Sequence, residues 1–80
     1  MSLEFTEEQE YWWICGRQVQ KCGVYKDIPT TAEEAISWWD GFSFAVCEEG
    51  EEEVEKLDVH LVNALRDYPD TLSLVTSISR

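Results

Sequence analysis

The chain has few of the residues that carry most enzyme chemistry and most metal sites. It contains one histidine, His60, and its three cysteines include no C-x-x-C pair. Histidine is the usual acid–base catalyst near neutral pH, and clustered cysteines and histidines are the usual zinc ligands. A glycine-rich phosphate loop, a serine elbow and a calcium-loop register are also lacking. We therefore expect no enzyme, no catalytic residues, no metal and no cofactor, and we interpret His60 as a boundary residue.

Long apolar runs are lacking as well. No stretch approaches the ~20 apolar residues that a membrane-spanning helix needs. The first ten residues, MSLEFTEEQE, have neither the basic start nor the apolar core of a secretion signal. Without such a signal, Cys15, Cys22 and Cys47 are expected to stay reduced. We expect a cytoplasmic protein without membrane contact.

Basic residues are scarce: six Lys and Arg stand against 17 Asp and Glu, a formal net charge of -11. Crowded like charges lower stability by self-repulsion, and solubility needs a net charge magnitude of only roughly 2 to 8. Seven of the eleven positions between Glu48 and Asp58 are acidic. Such a surface repels nucleic acid and anionic membranes. The charge predicts a basic protein partner and no direct binding of nucleic acid.

The apolar content predicts a folded domain. Hydrophobic residues make up 44 % of the sequence, and ten residues are aromatic, which is unlike a disordered acidic tail. No repeat or linker divides the chain. We predict a single domain over residues 1–80.

The first apolar segment, residues 11–20, fits two kinds of secondary structure. Its aromatic and β-branched residues alternate along the chain, which favours a strand. The same region fits a helix that begins at Thr6, with Gln9 completing a capping box, and ends at Gly16. We prefer the strand, and we expect residues 24–28 to return as its hairpin partner.

The middle of the chain predicts a helix followed by a strand. The helix spans Ala32–Asp40, because either Thr30 or Thr31 can cap its start and Gly41 suits its end. Residues 42–47 then alternate apolar and polar side chains, the period of a strand.

The last third predicts a long helix and a closing strand. Apolar residues recur at helical spacing from Glu51 to Tyr68, Pro69 stops the helix, and residues 72–78 alternate. The element order is then β-β-α-β-α-β. It predicts an α+β domain, with an antiparallel or mixed sheet and two helices packed on it.

On the long helix, Glu51, Glu55 and Asp58 fall in one column beside the apolar stripe. Carboxylates one turn apart, ~5 to 6 Å, imitate part of the phosphate pattern of a nucleic-acid strand. A basic groove that holds nucleic acid would then bind this column instead. The predicted partner contacts in the cluster are Glu48, Glu49, Glu51, Glu52, Glu55 and Asp58. The alternative is a solvated face that favours the helix dipole.

Two tryptophan pairs predict an exposed aromatic ring. Trp12 and Trp13 would point to opposite faces of a strand, and Trp38 and Trp39 would lie about 100° apart on a helix. One member of each pair is therefore hard to bury, and exposed tryptophan suits a protein-binding hot spot. Trp12 and Trp39 are the predicted contacts. They support a second hypothesis: an adaptor or antitoxin-like interaction module, or a homodimer, whose acids only confer solubility.

A strongly acidic α+β chain with a capped helix after a hairpin (IPTTAEEAISWWDG) and no catalytic motif resembles small phage-encoded inhibitors of host defence. These include anti-CRISPR and anti-restriction DNA mimics, and the resemblance is one of format and charge. It implies an inhibitor or decoy that occupies a basic nucleic-acid-binding surface, such as that of a CRISPR effector subunit. Arg17, Lys21 and Lys26 depart from a uniformly negative mimic, and we expect them to pair with the acidic face, internally or across a dimer.

Overall fold

The computed structural model describes residues 6–79, and this part of the chain contains helices and loops but no strand. The predicted α+β fold and its β-β-α-β-α-β order are therefore wrong. The helices are α1 (Glu7–Cys22), α2 (Ala32–Glu49), α3 (Glu51–Val54), α4 (Leu57–Ala64) and α5 (Pro69–Ile78).

α1 occupies residues 11–20, the segment that we predicted as a strand. The Thr6 hydroxyl accepts a hydrogen bond from the Gln9 N–H at 3.1 Å, and the Gln9 side chain accepts one from the Thr6 N–H at 3.0 Å. The alternative helix was therefore correct at its start. It does not end at Gly16 but at Gly23, whose φ of 68° is the left-handed conformation that glycine adopts readily. The buried residues recur at spacings of three, one and three positions: Trp12, Cys15, Gly16 and Val19.

The loop between α1 and α2 takes the place of the strand predicted at residues 24–28. Its middle is tied to α1, because the Tyr11 hydroxyl donates a hydrogen bond to the Asp27 carboxylate. This bond raises the pKa of Tyr11 above the ordinary range of a phenol. Lys26 lies over the Tyr11 ring, 5.4 Å from its centroid. Lys26 is thus placed on an aromatic face.

α1 and α2 run in the same direction. Lys21 contacts Glu48 where both helices end, and Gln9 and Glu33 line one groove where both begin. The loop must therefore return along the 16 residues of α1, about 24 Å. Residues 23–31 can span that distance, since nine residues extend over about 30 Å.

α2 begins as predicted but extends beyond its predicted end. Thr31 forms a capping box with Glu34. The helix passes through Gly41 and includes residues 42–47, so the strand predicted there is wrong. Gly41 does not end the helix, because it lies where α1 and α2 cross: an added Cβ would come closer than 3.0 Å to the Trp13 carbonyl oxygen. A glycine interior to a helix costs about 1 kcal/mol relative to alanine, and close backbone packing offsets that cost here.

The long helix predicted from Glu51 to Tyr68 is divided. Lys56 leaves the helical conformation, with φ -104° and ψ 24°, and separates α3 from α4. α4 ends at Ala64. Pro69 begins α5 instead of stopping a helix, because a proline fits the first helical turn. The strand predicted over residues 72–78 is therefore helix.

The core is centred on α2 and is closed by α1, α4 and α5. Trp38 is fully buried and stacks on Phe42, with ring centroids 5.1 Å apart. Leu65, which directly follows α4, and Val75 of α5 are fully buried in the same cluster. Among residues 6–79, no helix has both the length and the apolarity to cross a membrane.

Candidate partner-binding surface

The acidic segment, residues 48–58, spans the end of α2, all of α3 and the start of α4. Within residues 6–79, four of its carboxylates belong to exposed residues and form neither an ion pair with a Lys or Arg nor a hydrogen bond with another side chain. They are Glu51, Glu52, Glu55 and Asp58. Their charges are therefore available to a partner.

The acidic segment is not the regular column that the sequence predicted. The interruption at Lys56 places Glu55 in a turn, while Asp58 lies in the first turn of a separate helix. One continuous helix therefore does not set the spacing between Glu51 and Asp58. What the segment retains is a concentration of exposed charge.

Glu48 and Glu49 differ from these four residues because they contact α1. Glu48 accepts hydrogen bonds from Lys21 Nζ at 3.0 Å and from Arg17 Nη2 at 3.3 Å. The bond from Lys21, with the charge of Arg17, lowers the pKa of the Glu48 carboxyl. The Glu49 carboxylate accepts a hydrogen bond from the Gln20 amide. Both residues join the C-terminal ends of α1 and α2, and Glu48 pairs internally with two of the basic residues, Arg17 and Lys21.

Glu53, which we did not predict as a contact, bonds to the histidine. His60 Nε2 lies 2.6 Å from Glu53 Oε2, and both side chains are partly buried. The bond crosses the interruption between α3 and α4, so it links these two helices. Within the described chain, no group of three or more His, Cys, Asp or Glu residues is arranged to hold a metal ion.

A second set of carboxylates, the N-terminal carboxylates, lies in the first turns of α1 and α2. There each acid favours the positive end of a helix dipole, and Glu34 also completes the capping box of Thr31. Because the two helices run in the same direction, this set lies at the opposite end of the α1–α2 pair from the acidic segment. The N-terminal carboxylates are Glu7, Glu8, Glu10, Glu33 and Glu34.

The predicted tryptophan contacts lie in or against the core. Trp12 is 9 % exposed and belongs to the core cluster, which leaves little of it for a partner. Trp39 is half-buried and stacks on Phe42 at 5.8 Å between centroids. The choice of Trp12 depended on the alternation of a strand, which α1 does not have.

The sequence interpretation missed an exposed aromatic pair, Trp13 and Phe44. Their ring centroids are 5.4 Å apart, Trp13 is half-buried, and Phe44 is 52 % exposed. A signal was present: Trp13 lies three residues before Gly16, and Phe44 lies three residues after Gly41. That signal becomes visible only once both glycines are assigned to helix interiors.

The three cysteines lie in different environments. Cys15 is fully buried, and burial raises the pKa of its thiol, which disfavours the reactive thiolate. Cys22 and Cys47 are exposed free thiols.

Comparisons with protein-family models, with curated proteins and with solved structures find no match to this chain.

Proposed function

We propose that this chain is a non-enzymatic binding protein, an acidic inhibitor or decoy that occupies a basic nucleic-acid-binding surface of another protein. The observation that carries the proposal is the exposed acidic segment, on a chain with net charge -11. Lysine and arginine side chains of a nucleic-acid groove are attracted by the same field that repels nucleic acid itself. The inhibitor is anti-CRISPR-like or anti-restriction-like, and its partner is a nucleic-acid-binding protein such as a CRISPR effector subunit, which must hold DNA or RNA to act.

The internal ion pairs support this assignment. Among residues 6–79, two ion pairs involve a Lys or an Arg, those of Lys21 and Arg17, and both are formed with Glu48. The charges of Glu51, Glu52 and Glu55 are therefore left without a basic neighbour in a salt bridge. A field of this kind accelerates encounter with an oppositely charged surface and weakens with salt. The decoy acts in the cytoplasm, where its three free cysteines stay reduced.

Competition for DNA tests the proposal. The chain is added to purified CRISPR effector complexes and restriction endonucleases, and the DNA that each retains is measured by mobility shift. We expect the wild-type chain to displace DNA from at least one of them. The triple variant Glu51→Gln, Glu52→Gln, Glu55→Gln should displace at least about tenfold less at equal concentration, since each lost carboxylate weakens a charge contact.

A matched control separates site from total charge. The triple variant Glu7→Gln, Glu8→Gln, Glu33→Gln removes three charges from the other end of the α1–α2 pair. Displacement by this control should stay close to wild type. Equal loss in both triple variants would show a general charge effect, and no loss in either would remove the acidic segment as the contact.

A second candidate function is the aromatic interaction module or homodimer. The exposed pair of Trp13 and Phe44 is the observation that favours it. In that case substitution of these rings by alanine abolishes association, and neutralising the acidic segment does not.

A further inference from the structure

Trp13 and Phe44, the aromatic pair, face away from the core. Phe44 follows Phe42 by two residues, and two residues of a helix are about 200° apart, so the buried ring of Phe42 places that of Phe44 on the opposite side. The same relation holds between Trp13 and the buried Cys15. The pair is therefore an outward-facing apolar feature at the junction of α1 and α2.

The backbone holds the pair in place. Gly41 packs against the Trp13 carbonyl, and Gly16 packs against the Trp38 carbonyl. Because these are contacts of backbone and not of flexible side chains, they fix where the two helices meet and hence where Trp13 and Phe44 meet. A preformed aromatic contact loses less conformational entropy on binding than one that must assemble.

Acidic residues form the rim of the aromatic pair towards the N-terminal ends of α1 and α2. Asp40 lies four residues before Phe44 on α2, and Glu10 lies three residues before Trp13 on α1, spacings that place each acid on the same helix face as its ring. Both acids are exposed. On the other side of the pair, Glu48 lies one turn after Phe44 and forms an ion pair with Arg17, which lies one turn after Trp13. The acidic segment begins at Glu48, so the aromatic pair and the acidic segment are adjacent.

The charge decides between two occupants. A second copy would bring the same acidic rim and a net charge of -11 towards an identical rim, and like charges across an interface oppose binding. A basic partner complements the rim. An aromatic centre with a charged edge is also the usual arrangement of a binding hot spot, in which a few large side chains carry most of the affinity.

We propose that Trp13 and Phe44 are the anchor for the basic partner, receiving an apolar side chain that is flanked by lysine or arginine on the partner's surface. This rests on the proposed function and names the partner's contact chemistry. The acidic segment governs the rate and the salt dependence of the encounter, whereas the aromatic pair governs how long the complex lasts.

Two synthetic helical peptides of equal charge test the anchor. The first contains lysine and alanine alone, and the second carries one leucine in place of a central alanine. We expect the leucine peptide to bind at least about tenfold more tightly by titration calorimetry, a difference of about 1.4 kcal/mol that lies within the range of hot-spot contacts. Phe44→Ala should abolish that gain.

Val59→Ala is the matched control. Val59 is 58 % exposed on α4, against 52 % for Phe44 on α2, so both substitutions remove exposed apolar surface and leave the core intact. The leucine gain should survive in Val59→Ala. Far-ultraviolet circular dichroism of each variant verifies the fold, and Trp13→Phe, which keeps a ring, should retain part of the gain.

The outcomes separate this inference from the proposed function. If both peptides bind equally and the triple variant Glu51→Gln, Glu52→Gln, Glu55→Gln weakens both, the proposed function stands and the anchor is refuted. If neither peptide binds, both fail. A gain that survives Phe44→Ala also refutes the anchor. Sedimentation that shows a dimer for wild type and a monomer for Phe44→Ala also refutes the anchor, because the aromatic pair then binds a second copy of the chain.

Discussion

Gly16 and Gly41 lie at the same helix crossing, and each packs against the backbone carbonyl of a tryptophan on the other helix: Gly16 against Trp38, and Gly41 against Trp13. A Cβ at either position would come closer than 3.0 Å to that oxygen. The crossing thus connects the core with the surface, since Trp38 is fully buried and Trp13 is half-buried beside Phe44.

Substitution of a crossing glycine by alanine should destabilise the fold. Gly41→Ala gains helix propensity, but its methyl group meets backbone that has to shift, and overpacking of this kind costs about 1–3 kcal/mol. Urea denaturation followed by circular dichroism measures the difference. Gly16→Ala should lower the free energy of unfolding in the same way. A Gly41→Ala variant that is as stable as wild type, or more stable, would contradict the close crossing.

Removal of the Thr71 hydroxyl should loosen the loop between α1 and α2. Thr71 Oγ1 donates a buried hydrogen bond to the Pro29 carbonyl at 3.1 Å, and Pro29 is itself fully buried. Thr71→Val keeps the shape but leaves that carbonyl without its donor, which costs about 1–3 kcal/mol. Thr76→Val, on the same helix and half-buried, is the control and should cost less. Equal losses of unfolding free energy would refute the role of the bond.

The ion pairs of Glu48 should make stability depend on pH. Lys21 and Arg17 lower the pKa of Glu48 in the folded chain, so the carboxylate stabilises the fold above its ordinary pKa of 4.5, and this contribution is lost as the pH falls through the lower folded value. Wild type should exceed Glu48→Gln in stability near neutral pH, and the difference should vanish in acid. Urea denaturation from about pH 7 to about pH 3 measures it. A constant difference would contradict the pairing.

The starts of α1 and α2 were predictable from the sequence, but the helix interiors were not. A capping box uses residues three apart, so Thr6 with Gln9 and Thr31 with Glu34 could be found locally. Gly41 could not be assigned locally, because a glycine that ends a helix and a glycine that permits a close crossing look the same in sequence. Only the contact with Trp13 distinguishes them.

The same limit explains the strands that the structure does not contain. Short apolar segments such as residues 72–78 fit a period of two and a period of 3.6. The exposure of Glu51 and Glu55 could be predicted from their charge, and both residues are exposed. The exposed ring could not be predicted in this way. Trp12 was chosen from the alternation of a strand, whereas the helix places Trp13 outward beside Phe44.

Salt dependence tests the central claim most directly. The affinity of the chain for the leucine peptide is measured between about 50 mM and about 500 mM salt, a range over which exposed charges become strongly screened. We predict a fall of at least about tenfold for wild type, and a much shallower fall for the variant that lacks the carboxylates of Glu51, Glu52 and Glu55. An affinity that stays constant over this range, or falls equally in that variant, would contradict the account.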